Sequence, residues 1–208
     1  MSKLVLIGGG GHCKSVLDTV LRTGLYENIV ITDPDIEKGT CILGAAEVVG
    51  DDNELQRLYD SGYKDAFITL GALTNPSLRI RLSDLARNIG FCFPNIIDPS
   101  AILSDSVNIG EGTFVGKKVV INTEVSVGSH CIINSGAIIE HECQIGDYTH
   151  ISVGAIMCGN VIIGANCLIG AGSSVLQGIH VGDNSIVGIG STVITDVSAD
   201  KTVYGLVK

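Results

Sequence analysis

A small α/β unit followed by a parallel β-helix of hexapeptide repeats is the fold this sequence predicts. Three observations predict it. From Leu103 to Val193 every sixth residue is aliphatic or Met, through Ile109, Val115, Ile121 and onward, with no insertion or loss. The residue four places after each of these anchors is small or β-branched, as at Thr113, Cys131, Ala137 and Ser173. The first hundred residues show no such phase and instead alternate short apolar runs with helical patterns.

A helix would repeat its apolar residues every 3.6 positions and a flat strand every second one. A large apolar residue at every sixth place suits neither. It suits a solenoid in which each hexad is one short parallel strand plus a corner, and three hexads close a triangular coil. The anchor fills the prism and the small residue fits beside it near the corner. Glycine often follows the anchor, as at Gly110, Gly128, Gly146, Gly164 and Gly182, where it is expected to relieve crowding at the bend. The run amounts to about five stacked coils.

The elements before the repeat read in order. Leu4–Ile7 is a buried strand, Gly8-Gly9-Gly10-Gly11-His12 a glycine loop, and Ser15–Leu21 a helix. Strand, glycine loop and helix make a Rossmann-like start. Such a loop points backbone N–H groups and the positive end of the helix at a phosphate. Asn28–Thr32 is a second strand ending at Asp33, where an acid suits a ribose or base contact. Cys13 stands where a dinucleotide fingerprint has its third glycine, so three readings stay open: a nucleotide or nucleotide-sugar site, an NAD site, or a tight structural turn. Residues 34–40 form a polar loop and residues 43–50 carry a short extended piece. Asp51-Asp52-Asn53 opens a helix through Tyr59, with its carboxylates at the favourable end of the dipole. Residues 66–70 form a third strand, 71–76 a turn, 77–88 a helix and 91–97 a fourth extended run limited by Pro94. Arg79, Arg81 and Arg87 on that last helix read as a solvated face, with phosphate contact as the alternative. Asp98-Pro99-Ser100-Ala101 leads into the first coil, which divides the chain into units 1–97 and 98–208. After Val197 the repeat stops, with a polar turn at 198–201 and a short tail at 203–208.

The totals exclude several classes. The 208 residues carry a net charge of −9 and no basic run, which argues against nucleic acid or an anionic membrane as partner. No apolar run is long enough to span a bilayer. Residues 1–7 meet the glycines too soon for a signal peptide and read as a strand. The 7 cysteines form no CxxC pair, and Cys131, Cys143 and Cys167 fall on the small inward position. A reduced, cytoplasmic protein is expected.

Chemistry concentrates at Glu140-His141-Glu142, where His141 and Glu142 occupy the bend of a hexad. An imidazole beside a carboxylate is what a general base requires, because the carboxylate fixes the tautomer and stabilises the imidazolium. A surface histidine of no consequence is the alternative. His150 follows half a coil later. His12, His130, His141, His150 and His180 include no pair at ligand spacing within one coil, so no metal is expected.

The repeat resembles the left-handed parallel β-helix of hexapeptide acyltransferases. Leu4–His12, joined to that repeat and to the stretch from Glu140 to His150, is similar to one subfamily: the sugar O/N-acyltransferases of sialic acid and bacillosamine biosynthesis. The resemblance implies a homotrimer with active sites between neighbouring prisms, acetyl-CoA as co-substrate, and a nucleotide-linked amino sugar held by the N-terminal domain. Carried onto this sequence, it makes His141 the general base and Glu142 its orienting acid. It places His150 at the thioester, and backbone groups of Gly159, Ala171 and Ile189 along CoA. The sugar nucleotide would meet Gly10, Gly11, His12, Thr32 and Asp33. Three positions depart from the family: Cys13 replaces a glycine, Asp98 stands where a histidine is common, and the end reads Tyr204-Gly205-Leu206-Val207-Lys208. The resemblance implies N-acetylation of a nucleotide-linked 4-amino-4,6-dideoxy sugar for bacterial surface glycan or glycoprotein synthesis. The rivals are a sialic acid O-acetyltransferase, a metal-dependent enzyme on the same helix, and a scaffold without catalysis.

Overall fold

The computed structural model describes residues 2–71 and 76–208. The chain divides between Ile96 and Ile97 into two compact units. The turn expected at 71–76 lies mostly outside the described residues.

The first unit is a five-stranded sheet with helices. Strand β1 (Lys3–Ile7) is an interior strand and pairs in parallel with β2 (Asn28–Thr32) and β5 (Asp65–Ile68). The other side of β2 carries β4 (Ala46–Gly50), which β3 (Cys41–Ile42) joins antiparallel at the edge. Leu4 to Ile7 are all buried, which is why β1 is continuously apolar rather than alternating. Helix α1 (Gly11–Thr23) starts directly on the glycine loop, four residues before the apolar pattern shows it. It buries Cys13, Val16, Leu17 and Val20 at helical spacing and ends on Gly24 in the left-handed conformation. Cys13 therefore serves the core: it is fully buried, and burial pushes its thiol up to about 11.

The helix expected from Asp51 begins as a 3-10 turn, Asp52–Glu54, before α2 (Leu55–Asp60). Helix α3 (Ser77–Ile89) follows. Of its arginines, Arg81 and Arg87 are exposed as expected, with Arg87 over the Phe93 ring, while Arg79 is buried. The fourth extended run is mostly not a strand. Phe91 and Phe93 turn into the core, Cys92 makes a single bridge to Asp65, and only Ile96–Ile97 (β6) pairs.

The second unit is a three-sided parallel prism with one short strand per hexad. Strands eighteen residues apart stack in register, so Leu103, Ile121, Ile139, Met157, Val175 and Val193 form one column. The anchors from Val115 to Val193 are all buried, as are the small residues from Thr113 to Ser173. Cys143 and Cys167 are among them, and burial pushes both thiols up to about 11. The seven cysteines are all free thiols.

Two details differ from the sequence reading. The glycine after each anchor does not turn the chain. The residue with positive φ lies three places after the anchor, at Glu124, His130, Glu142, Tyr148 and their glycine or asparagine counterparts. The glycine after the anchor is there for clearance: a Cβ on Gly146 would lie 2.5 Å from the nitrogen of Ala165 on the next coil. The tail also continues the prism rather than leaving it. Thr202–Val203 pairs with Ile186–Val187, and Leu206–Val207 pairs with Thr192–Val193.

Candidate functional site

The turn at residues 141–142 joins the strand Ile138–Ile139 to the strand Gln144–Ile145. Glu142 takes the left-handed conformation, φ 62°, as the fourth residue of every hexad tends to. Its carboxylate then stands beside the preceding imidazole, with Oε2 3.0 Å from His141 Nδ1. Both side chains are about half exposed, at 45% and 57%. In the neutral ring Nδ1–H donates to the carboxylate, and this leaves the Nε2 lone pair as the acceptor. Glu140, the other flanking acid, is engaged elsewhere: Asn122 Nδ2 donates to its Oε2 at 2.8 Å.

One coil on, Gly159 lies under the ring. A Cβ there would sit 2.5 Å from His141 Nε2 and closer still to Cε1. The backbone N–H of Asn160 donates to the His141 carbonyl at 2.8 Å, which ties the two turns together. His141, Glu142 and Gly159 thus share one edge of the prism.

The remaining residues expected at CoA lie on another edge. Ala171 and Ile189 occupy stacked turns, with Gly190 N–H donating to the Ala171 carbonyl at 2.9 Å. Ile189 is 80% exposed and Val153, in the same column, 51%. His150 is on the strand that runs to this edge, and its Nε2 is 3.3 Å from Asn134 Nδ2. One side of the triangle separates this edge from His141, roughly 15–20 Å for six residues of mostly extended chain.

In the first unit the four loop glycines divide into two pairs. Gly8 N–H donates to the Thr32 carbonyl at 2.8 Å and Gly9 N–H to Asp33 Oδ2 at 2.6 Å. A Cβ on Gly8 would meet Leu70, and one on Gly9 would meet Ile36. Gly10 and Gly11 are exposed with nothing near their would-be Cβ atoms, at the N-terminus of α1. No side chain caps that helix start. The open half of the loop is therefore the part shaped for an anion. His12 is half-buried in the first turn.

Asp33 and Thr32 do more structural work than expected. The second oxygen of Asp33 accepts from Asp35 N–H at 2.9 Å, so its carboxylate ties the glycine loop after β1 to the turn after β2. Thr32 is fully buried, with its hydroxyl 3.2 Å from Asp52 Oδ1. Its side chain supports Asp52 instead of facing the loop.

Asp52, read from sequence only as a helix-start charge, lines a cleft of about 690 Å³ with Pro34, Asp51, Asn53, Arg81 and Leu85. Burial raises its pKa, against the lowering effect of the Thr32 hydroxyl; Asp51 raises it further and Arg81 opposes. A carboxyl whose folded pKa lies above its unfolded one stabilises the fold below the unfolded value, about 3.9, and loses that stabilisation as pH rises through the folded value. Asp52→Asn is therefore expected to flatten the decline of Tm with pH just above pH 4. Thermal melts of both proteins between pH 3 and 7 check this, and parallel curves would refute it.

Among the described residues no three His, Cys, Asp or Glu side chains gather as a metal site. No helix among them is long and apolar enough to cross a membrane.

Known proteins resemble the whole chain. Residues 3–85 match the PglD N-terminal domain family, and residues 106–141 and 160–194 match the hexapeptide repeat of succinyl-transferase. A perosamine N-acetyltransferase from Caulobacter crescentus, solved with CoA and GDP-perosamine as a variant with asparagine for a histidine, is 34% identical over 99% of this chain and 94% of that one, with TM-score 0.91. The acetyltransferase domain of PglB from Neisseria gonorrhoeae is 31% identical over 99% of this chain and 97% of that one, with TM-score 0.90. The same domain in complex with acetyl coenzyme A is 32% identical over 98% and 96%, with TM-score 0.89. Among curated protein sequences none matches significantly.

Proposed function

Since the chain belongs to the hexapeptide-repeat sugar acyltransferases with a PglD-type N-terminal domain, we propose that it acetylates a nucleotide-linked 4-amino-4,6-dideoxy sugar at its 4-amino group, with acetyl-CoA as donor. The observation that carries this reading is His141 held through Nδ1 by Glu142, with Nε2 left as acceptor. The sugar amine attacks the thioester carbonyl, and Nε2 takes a proton from the nitrogen as the C–N bond forms. The C–S bond then breaks and the proton passes to the departing CoA thiolate. The imidazolium formed in between is stabilised by the Glu142 carboxylate. Backbone N–H groups or His150 would stabilise the oxyanion. CoA- and GDP-perosamine-bound relatives support both substrates.

Gly10, Gly11 and His12 would bind the diphosphate side of the sugar nucleotide, with Asp33 holding the loop in shape. A homotrimer would account for the division of the residues assigned to CoA. His141 and Gly159 stand on one edge while His150, Ala171 and Ile189 belong to another, so a second copy would bring its edge to the first copy's base. The exposed apolar column of Val153 and Ile189 suits burial against such a neighbour. The free thiols and the two proposed substrates fit the cytoplasm, and surface glycan assembly would use the product.

A panel of UDP-, dTDP- and GDP-linked 4-amino sugars with acetyl-CoA, followed by thiol release, tests the reading. Release with one of them, and not with free or CMP-linked sialic acid, is expected. Release with sialic acid alone would replace N-acetylation by O-acetylation, and release with none would end the proposal.

A further inference from the structure

The third residue of each hexad, two places after the anchor, projects at the prism edges. It is Asp105, Glu111, Lys117, Thr123, Ser129, Ser135, and so on to Thr195. Gly159 is the only glycine at this position in the whole repeat. It does not have a positive φ, so the backbone does not call for glycine there. Its neighbours in the same column, Thr123, His141 and Gln177, all carry side chains. What excludes a side chain at 159 is the His141 ring, which fills the space a Cβ would take.

We propose that Gly159 is a positioning residue for the general base: its bare Cα is the seat that leaves room for the imidazole against the next coil, with Nδ1 on Glu142. The proposal rests on the acetyl-transfer reading for its kinetics, and on geometry alone for its structural content. A backbone contact from residue 159 to CoA would leave the choice of side chain open. The seat does not, because a Cβ at 159 would take space the ring now fills, so the ring must shift from its place beside Glu142. A base that cannot hold its tautomer and direction loses the advantage of being placed.

The test is a double-mutant cycle of Gly159→Ala and His141→Ala, with two readouts. In the first, Gly159→Ala alone is expected to lower kcat by at least ~10²-fold, within the range a positioned base supplies. In the His141→Ala background the same substitution should remove no further activity. The second readout needs no turnover. Imidazole nitrogen resonances of labelled protein, assigned to His141 by the His141→Ala variant, should show protonated Nδ1 in the native protein and lose that single tautomer in Gly159→Ala.

If Gly159→Ala keeps kcat within about threefold, or cuts both backgrounds by the same factor, the seat is refuted. An unchanged tautomer signal would refute it too. Absence of acetyl transfer by the native protein would sink the functional reading instead, and the nitrogen spectra would still decide the seat.

Discussion

His141→Ala is expected to lower kcat by about 10²–10⁴-fold, the usual contribution of a positioned proton acceptor, with little change in acetyl-CoA affinity. The expectation follows from where the ring is. It lies on an edge turn, about half exposed, outside the column of anchors that holds the prism together. Its removal opens no core cavity, so the fold and Tm should persist. Nε2 is the atom left without an intramolecular hydrogen-bonding role when Nδ1–H is committed to Glu142. The loss should thus appear in the chemical step, as when an interaction made only in the transition state is removed. Steady-state kinetics on the amino-sugar substrate and calorimetric titration of acetyl-CoA separate the two terms. Turnover equal to that of the native protein would remove His141 from the mechanism, and a large loss of CoA affinity would make it a binding residue.

The prism was legible in the sequence because burial selects side chains directly. A large residue at the anchor and a small one four places on leave a chemical trace in every hexad, and the trace survives at Cys131, Ala137 and Ser173 alike. The corner conformation left a weaker trace. Lys118, Glu124, Glu142 and Tyr148 all hold positive φ, though none is a residue that announces it. Stacking on adjacent coils supports that backbone, so local preference is overridden. The clearance role of the glycines after the anchors depends on contacts eighteen residues away, and that distance is invisible until the coil is closed. The tail was missed because Thr202–Val203 and Leu206–Val207 are out of the six-residue phase and still find partners.

At the site, the pairing of His141 with Glu142 was readable because the two are adjacent in sequence. The seat at Gly159 was not, since it is a relation between coils. In the first unit the acid after β2 suggested a ribose or base contact, and both its oxygens turn to the backbone of Gly9 and Asp35. Sequence shows that a charge stands at a strand end; only packing shows which N–H groups reach it first.

The strictness of the phase has its own consequence. Deleting Val153 should abolish folding of the coils beyond it, although Val153 is half in solvent and makes no core contact of its own weight. The deletion moves every later residue by one place along the path of the prism. Met157, Ile163, Ile169 and Val175, all now buried, would face outward or into corners, and their neighbours would face in. Fully burying one such side chain contributes about 1.5–3 kcal/mol, against a typical total stability of roughly 5–15 kcal/mol. Misplacing a few of them exceeds what the rest can offset, unless a bulge absorbs the missing residue within one turn. The comparison that isolates phase is deletion of residues 163–180, a whole coil. It removes far more buried area, yet Met157 and Val181 then stand six positions apart and every remaining anchor keeps its place. Stability in a solenoid is close to a sum over repeats and their interfaces, so this variant should fold with a lower Tm. Circular dichroism melts and gel filtration of the two variants decide the matter. Equal folding of both would show that these coils tolerate a slip, and that the uninterrupted count of six is not what holds them together.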